Sequence, residues 1–265
     1  MDNAPQTLFD IIHHILTRHP ELTEPTEALA ANLLGKGYGT ATIEQEVHCA
    51  MALLGGTPRL AIDIGGNVGN YCAELLRHNP NAEIHVFEPS VANLPGLRER
   101  FADKPGVHIL PYAVSDKDAV ATLYADVPGS GLASLALRDL RHRGIAFDRR
   151  EEVRTVRFEG YWSAVLGRRP LDLVKIDIEG YELAALHGFG EAIQATRAIQ
   201  FEFGGCNIDT RTFFKDFWDF FASAGFDIYR VAPRGPLRIG RYQEIDEFFS
   251  TTNFIAIRQL AVERR

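Results

Sequence analysis

A glycine-containing loop is the first part of the sequence that could do chemistry. It runs from Asp63 to Gly69 with the letters DIGGNVG, after an apolar run and before a helical pattern. Glycines allow a close approach of backbone to ligand, and a helix N-terminus offers unpaired N–H groups. About 20 residues after such a loop, nucleotide-binding folds place an acid on the ribose hydroxyls, and Glu88 ends the next apolar run. The pattern predicts a nucleoside-containing ligand; the simpler alternative is turn glycines with a surface glutamate.

The acid at the start of this loop bears on which nucleoside is bound. Dinucleotide sites favour G-x-G-x-x-G directly after the strand, whereas here Asp63 precedes the glycines. An anionic side chain disfavours a pyrophosphate and favours a cation, such as the ammonium or sulfonium of S-adenosylmethionine. The loop therefore predicts S-adenosylmethionine and disfavours a nucleotide-dependent oxidoreductase.

A second group of charged residues lies in and after the apolar run Leu171–Asp177. Lys175 and Asp177 share one face of a strand, and their apolar neighbours predict that both are partly buried. One interpretation is a lysine–carboxylate pair that only holds strands together. The other is a functional site, because strand carboxyl ends in open α/β sheets face the ligand crevice, where Asp177 and Glu179 would lie.

Asp177 is the main candidate for a catalytic group, with Lys175 and Glu179 as supporting residues. Its carboxylate would act as a general base that takes the proton of an attacking hydroxyl. Alternatively, it would bind a metal ion. Glu202 ends the next predicted strand, so Asp177 and Glu202, with Glu179, would converge as hard oxygen ligands for Mg²⁺.

The elements that must position these residues alternate between strand and helix after Pro58, which is typical of a parallel sheet covered by helices. The predicted strands are Arg59–Ile64, Glu83–Glu88, Val107–Tyr112, Val120–Tyr124, Val153–Phe158, Leu171–Asp177, Ala198–Phe203, Asp227–Val231 and Asn253–Arg258. The predicted helices are Val68–His78, Val91–Ala102, Tyr181–Leu186 and an aromatic helix, Arg211–Ala224, which we expect to pack in the core. We expect loops over Val127–Arg150 and Ala232–Tyr242.

The N-terminal part is predicted to be a helical segment, residues 1–57, ahead of a catalytic domain, residues 58–265. Its predicted helices are Gln6–Arg18, Thr26–Leu34 and Ala41–Leu54. The apolar residues of the first helix follow the spacing of one buried stripe: Leu8, Ile11, Ile12, Ile15 and Leu16. Such a segment would cover a substrate pocket or a dimer interface.

Four blocks in this order resemble the FkbM family of S-adenosylmethionine-dependent methyltransferases. They are Asp63–Tyr71, Val86–Ser90, Ala113–Asp116 and the most characteristic block, Leu173–Glu182. The resemblance covers Leu60–Arg258 and departs from the family at Gly66, where the family more often has Ala. It implies an α/β, Rossmann-like class I methyltransferase fold, in which a seven-stranded, mostly parallel sheet has one antiparallel strand. It also implies methyl transfer to an oxygen of a small molecule or sugar.

The resemblance further implies a role for individual residues. At the methionine end of the cofactor it places Asp63, Gly65, Asn67 and Gly69; at the ribose, Glu88 and Pro89; and near the adenine, Ser115 and Asp116. A turn cap explains Asp116 equally well. Ser134 and Arg138 lie in the predicted loop Val127–Arg150. Both are candidates for contact with the substrate.

Composition narrows the partners and the location. The 265 residues are 46% hydrophobic and 24% charged, which is ordinary for a globular protein. A net charge of -7 disfavours a nucleic-acid partner. We expect no membrane span, because no apolar stretch approaches the roughly 20 residues required. Three cysteines without metal-binding spacing, and an N-terminus unlike a signal peptide, predict a cytoplasmic protein.

We therefore expect an S-adenosylmethionine-dependent O-methyltransferase acting on a hydroxyl of a small molecule, sugar or natural product. The alternative is a catalytically inactive methyltransferase-like protein that binds the cofactor. The aromatic helix and the N-terminal apolar stripe permit a homodimer without requiring one.

Overall fold

The structure, a computed structural model, describes residues 7–40 and 42–259. Its strands are β1 (Leu60–Ile64), β2 (Glu83–Phe87), β3 (Val107–Leu110), β4 (Ala113–Ser115), β5 (Ala119–Ala125), β6 (Arg149–Arg157), β7 (Leu171–Ile176), β8 (Thr196–Phe203), β9 (Phe226–Ala232), β10 (Gly235–Ile239) and β11 (Thr252–Arg258). Its α-helices are α1 (Leu8–Arg18), α2 (Thr23–Leu33), α3 (Ile43–Leu54), α4 (Asn70–His78), α5 (Leu94–Arg100), α6 (Phe158–Ala164), α7 (Glu182–His187), α8 (Cys206–Thr210) and α9 (Phe214–Ser223).

Eight strands form one sheet in the order β10-β9-β11-β8-β7-β1-β2-β3. Strands β3, β2, β1, β7 and β8 pair in parallel, and β11 lies antiparallel between β8 and β9. The Rossmann-like class I methyltransferase fold expected from the sequence is confirmed. The strand count differs by one, because β10 forms a hairpin with β9 in the stretch predicted as a loop. Gly235 and Pro236 at the start of β10 are typical of a turn, so the sequence does not predict a strand here. Both residues are tolerated in a strand at the edge of a sheet.

A smaller sheet, in the order β4-β6-β5, holds the segment that precedes the second half of the fold. The predicted strand Val107–Tyr112 ends at Leu110, and the chain re-enters a strand three residues later as β4. Strand β6 begins at Arg149, earlier than predicted, because it pairs along the whole of β5. This pairing fixes both ends of the covering loop, residues 126–148, above the main sheet.

The aromatic helix packs in the core, as expected. Phe214, Phe217 and Phe221 of α9 are fully buried. The rings of Phe217 and Phe201 on β8 stack with their centroids 4.9 Å apart. The predicted helix start at Arg211 is wrong, because Arg211 has a left-handed backbone that separates α8 from α9.

The N-terminal helices divide into two parts by their packing. Helix α3 buries Val47 and Ala50 in one apolar cluster with Ala61 of β1 and Val231 of β9. Helices α1 and α2 bury no side chain, so the buried stripe predicted for the first helix is wrong within this chain. Leu8, Ile11, Ile12 and Ile15 are exposed, and Leu16 is only partly buried. The predicted helix starts at Gln6 and Ala41 lie outside the described residues. In residues 7–40 and 42–259, no helix has the length and apolar character to cross a bilayer.

Candidate functional site

The glycine loop sits at the centre of the sheet, where β1 pairs with β2 on one side and β7 on the other. Gly65 follows β1 with a φ of +84°, and a Cβ there would lie 1.9 Å from the main-chain oxygen of Asp177. Only glycine meets both requirements. A Cβ on Gly66 would lie 2.2 Å from Val86. The loop therefore brings the carboxyl ends of β1 and β7 together at the crevice where open α/β sheets bind ligands.

Glu88 is tied to the same loop. Its Oε2 accepts a 2.7 Å hydrogen bond from the main-chain N–H of Asn67, whose backbone is left-handed with a φ of 47°. Its Oε1 accepts hydrogen bonds from the main-chain N–H of Ser90 and from the side chain of Asn93. Burial raises the pKa of Glu88, while these donors favour its charged form. The carboxylate is thus held rigidly at the wall of a cavity.

This cavity, pocket A, lies beneath the covering loop and has an empty volume of about 540 Å³. Its lining includes Gly65, Asn67, Glu88, Pro89, Tyr112, Val114, Leu123, Ser134, Asp177 and Glu179. The lining combines apolar side chains with three carboxylates, Glu88, Asp177 and Glu179.

Four of the predicted cofactor residues do not line this cavity: Asp63, Gly69, Ser115 and Asp116. Ser115 is buried and donates a 3.0 Å hydrogen bond to the exposed Asp116, and neither lines pocket A, whose wall is formed by the preceding residues 112–114. Gly69 starts α4 with a φ of +83° and packs on Phe101 instead of facing the cavity. The adenine-side role of Ser115 and Asp116 stays a prediction.

Lys175 lies between two carboxylates. Its Nζ is 3.3 Å from Asp177 Oδ2 and 3.7 Å from Asp63 Oδ1. Burial alone would lower the pKa of Lys175, but the charges of Asp177, Asp63 and Glu46 outweigh burial and raise it. Asp63 is fully buried, and in the described part of the chain neither of its oxygens accepts a hydrogen bond. The ion pair with Lys175 is the contact that offsets the cost of burying this charge.

A second cavity, pocket B, lies on the other side of the glycine loop. It shares Gly65, Asn67, Gly131 and Asp177 with pocket A. Its remaining walls come from α3, α4 and the ends of β7 and β11, with the polar side chains of Thr42, Glu46, Tyr71, Lys175 and Asn253. Asp177, partly exposed, is the carboxylate at the junction of the two cavities.

Glu179 is held by the covering loop. Its backbone is left-handed with a φ of 56°, and its main-chain oxygen accepts a 2.9 Å hydrogen bond from Ser134 Oγ. Its carboxylate forms a short ion pair with the buried Arg138. Burial and the charge of Asp177 raise the pKa of Glu179 to about 7, although Arg138 favours the charged form. Ser134 and Arg138 therefore both contact Glu179, a predicted site residue. Their contact with the substrate stays a prediction.

Glu182 organises the turn after β7. It is fully buried and accepts hydrogen bonds of 2.9 Å from the main-chain N–H groups of Ile178 and Gly180. Burial raises its pKa to about 8, against the effect of these donors. The glutamate thus shapes the turn that presents Asp177 and Glu179.

The Mg²⁺ site expected at Asp177 and Glu202 lacks a suitable ligand set. In the described residues, the carboxylate of Glu202 groups with Glu179 and Cys206, and Asp177 belongs to no such group of three. A thiol is a soft ligand that Mg²⁺ does not favour. Burial, with the nearby carboxylates of Asp177 and Glu179, also raises the pKa of Glu202 well above its usual value, which disfavours the charged form that a metal ion would bind.

Several residues of the site carry no local motif. Glu46 on α3 and Asn253 on β11 are far from the glycine loop in sequence, and they reach pocket B only through the tertiary fold. Tyr112 and Leu123 reach pocket A in the same way. The only signal for Glu46, Asn253 and Tyr112 is a polar or aromatic residue within an apolar strand or helix pattern, and Leu123 has no such signal.

The sequence of this chain is similar to those of known methyltransferases. The sequence profile of the methyltransferase FkbM domain matches residues 63–228. The 2-O-methyltransferase NoeI of Sinorhizobium fredii (strain NBRC 101917 / NGR234) is 24% identical over 181 residues, which cover 63% of this chain and 73% of NoeI.

Two solved structures that are similar to this chain at low identity are methyltransferases. The FkbM methyltransferase of Methylobacillus flagellatus KT is 16% identical, with a TM-score of 0.47 over 75% of this chain, which spans 43% of the length of that protein. An O-methyltransferase of Thermotoga maritima is 12% identical, with a TM-score of 0.41 over 82% of this chain and 66% of that one. The profile match covers more than half of the chain and includes the glycine loop, Glu88 and the turn after β7. The chain belongs to the FkbM family of methyltransferases.

Proposed function

We propose that this protein is an S-adenosylmethionine-dependent O-methyltransferase that methylates a hydroxyl of a sugar or another small molecule. The observation that carries this proposal is the position of Asp177, whose partly exposed carboxylate lines both pockets where they meet. An oxygen acceptor is further supported by the relative NoeI, which is named a 2-O-methyltransferase.

The residues of the two pockets fit the cofactor. Glu88 would bind the ribose hydroxyls in pocket A, beside the apolar wall of Val114 and Leu123. Gly65 and Asn67 would hold the methionine end on the side of pocket B, with the fully buried Asp63 behind them. When bound, S-adenosylmethionine supplies a methyl group made electrophilic by a sulfonium.

Asp177 would orient the acceptor hydroxyl and receive its proton at a carboxylate oxygen. Lys175, 3.3 Å away, holds that carboxylate in one position. The covering loop places Ser130, Gly131 and Ser134 over pocket A and so keeps water from the reacting groups. Alignment of the two reactants would supply much of the acceleration.

Calorimetric titration with S-adenosylmethionine and S-adenosylhomocysteine tests the cofactor, with NADH as the control ligand. We expect both adenosyl compounds to bind and NADH not to bind. Absence of binding by both would overturn the proposed function. Turnover is then measured as S-adenosylhomocysteine formation with a panel of sugars and other hydroxyl compounds, repeated with added Mg²⁺.

The variant Asp177→Asn separates catalysis from binding. We expect it to bind S-adenosylhomocysteine within about threefold of the wild type but to lose about 10²–10⁴-fold in kcat, the usual contribution of a general base. The matched control is Asp103→Asn, an exposed aspartate far from both pockets. Full turnover by Asp177→Asn at saturating acceptor would exclude the base role. Cofactor binding without turnover of any acceptor would favour the alternative, an inactive cofactor-binding protein.

A further inference from the structure

The buried carboxylate of Glu46 lines pocket B, although Glu46 lies outside the matched FkbM domain. It lies on α3, whereas the profile match begins at residue 63. Three side chains donate hydrogen bonds to it: Thr42 Oγ1 at 2.9 Å, Asn253 Nδ2 at 3.0 Å and Gln200 Nε2 at 2.7 Å. A set made of donors alone suits an ionised carboxylate.

The position of Glu46 is fixed by a second layer of contacts. Tyr71 on α4 donates a 2.7 Å hydrogen bond to Gln200 Oε1, which directs the Gln200 amide nitrogen to Glu46. Helix α3 itself is anchored by fully buried apolar residues such as Val47. Elements from both ends of the chain therefore aim one carboxylate into pocket B.

The charges around pocket B do not balance. Glu46, Asp63 and Asp177 are carboxylates, and Lys175 is the cation among them. Burial and the charge of Asp177 raise the pKa of Glu46, while Lys175 and the hydrogen bonds from Thr42 and Gln200 lower it in part. Directly behind the glycine loop, Asp63 is fully buried and accepts no hydrogen bond within the described residues. Buried negative charge of this kind is costly unless a bound cation neutralises it.

We infer that Glu46 is a binding residue for a primary ammonium, which it recognises in pocket B. On the proposed function, on which this inference rests, that ammonium belongs to the amino-acid end of S-adenosylmethionine. Helix α3 then completes the cofactor site, and the matched domain alone lacks one of its charged groups. The competing explanation is that Glu46 only ties α3 to β8 and β11.

Two ligands distinguish these explanations. S-adenosylhomocysteine carries the amino-acid end, whereas 5′-methylthioadenosine keeps the adenosine and the thioether but has no ammonium. We expect Glu46→Gln to weaken S-adenosylhomocysteine binding by about tenfold or more, the usual worth of a hydrogen bond to a charged group. Binding of 5′-methylthioadenosine should stay within about twofold of the wild type. The matched control, Glu44→Gln, changes an exposed glutamate on the same helix and should alter neither affinity.

The outcomes separate this inference from the proposed function. Equal loss of both ligands in Glu46→Gln, or no loss of either, would overturn the inference while leaving the cofactor assignment in place. Failure of the wild type to bind either ligand would overturn the proposed function. A second variant, Glu46→Asp, keeps the charge; we expect it to retain more of the preference for S-adenosylhomocysteine over 5′-methylthioadenosine than Glu46→Gln does. An equal or smaller preference would contradict recognition by charge.

Discussion

Lys175 Nζ lies 3.3 Å from Asp177 Oδ2, and this ion pair crosses from a buried strand to the mouth of the site. Lysine and aspartate are two residues apart on one strand face, so the pairing follows directly from the strand period. The same ammonium is 3.7 Å from Asp63 on the neighbouring strand. Lys175 therefore links β7 to β1 through Asp63 and also fixes Asp177, a group of the site. The structural and the functional interpretation of the sequence thus both apply to this lysine.

Lys175→Met should be one of the most destabilising single substitutions in the chain. It leaves the buried carboxylates of Asp63 and Glu46 without their cation, which costs about 3–5 kcal/mol in comparable buried pairs. Burial raises the pKa of both acids. They take up protons as pH falls, so the loss in the free energy of unfolding should be smaller at pH 5 than at pH 8.

Urea denaturation at the two pH values measures this loss. The control is Lys215→Met, because Lys215 pairs with Asp219 on the surface, where such pairs contribute about 1 kcal/mol or less. A Lys175→Met protein as stable as the control would show that the acids are neutral in the wild type.

Glu182 should make the protein less stable as pH rises. Its pKa is raised to about 8 in the folded state, against about 4.3 for an unperturbed glutamate. A carboxyl group whose pKa is raised by folding stabilises the folded state. This contribution is complete below the group's pKa in the unfolded chain and is lost as pH rises through its pKa in the folded protein. Between pH 5 and pH 8.5 the stability of the wild type should therefore fall, and Glu182→Gln should fall less.

Thermal or urea unfolding at several pH values gives this slope. The amide of the Glu182→Gln variant would keep an oxygen for the N–H groups of Ile178 and Gly180, so the variant tests charge more than shape. The exposed Glu99→Gln serves as the control and should follow the wild type. Parallel curves for wild type and Glu182→Gln would contradict the raised pKa.

Arg138 should anchor the covering loop through Glu179. The pair is buried, and Arg138 Nε also lies 3.6 Å from Asp209. Arg138→Met leaves Glu179 unpaired and should cost about 3 kcal/mol at pH 8.5. The cost should be smaller at pH 6, because Glu179, with a pKa of about 7, then takes up a proton.

Limited trypsin digestion reports on the same loop. Arg141 and Arg143 lie in it, and the Arg141 side chain is 87% exposed. Faster cleavage there is the expected result for Arg138→Met at pH 8.5. Arg168→Met, which breaks an exposed pair with Glu191, is the control and should leave the rate unchanged. Equal rates for both variants would mean that other contacts hold the loop.

The sequence predicts the parts of this fold that local patterns determine. The period of β1 and β7, the glycines after β1 and the acid after β2 all lie near one another along the chain, so their arrangement could be inferred. Pocket B could not be, because Glu46 and Asn253 are separated by 207 positions and meet only when α3 packs on β11. The edge strand β10 could not be predicted either, because its Gly-Pro start is typical of a turn.

Gly65→Ala is the sharpest test of the loop itself. A Cβ at this position would lie 1.9 Å from the main-chain oxygen of Asp177, and the φ of +84° disfavours any side chain. The loop or β7 must move, so we expect a loss of about 2 kcal/mol or more in the free energy of unfolding. Binding of S-adenosylhomocysteine should fall at least tenfold with it, since both pockets share Gly65. The matched control is Gly96→Ala in α5, where a Cβ has no atom within 4 Å, so the added methyl group should be neutral or stabilise the helix by up to about 1 kcal/mol. Two variants of equal stability and affinity would show that the chain tolerates a side chain where β1 and β7 meet.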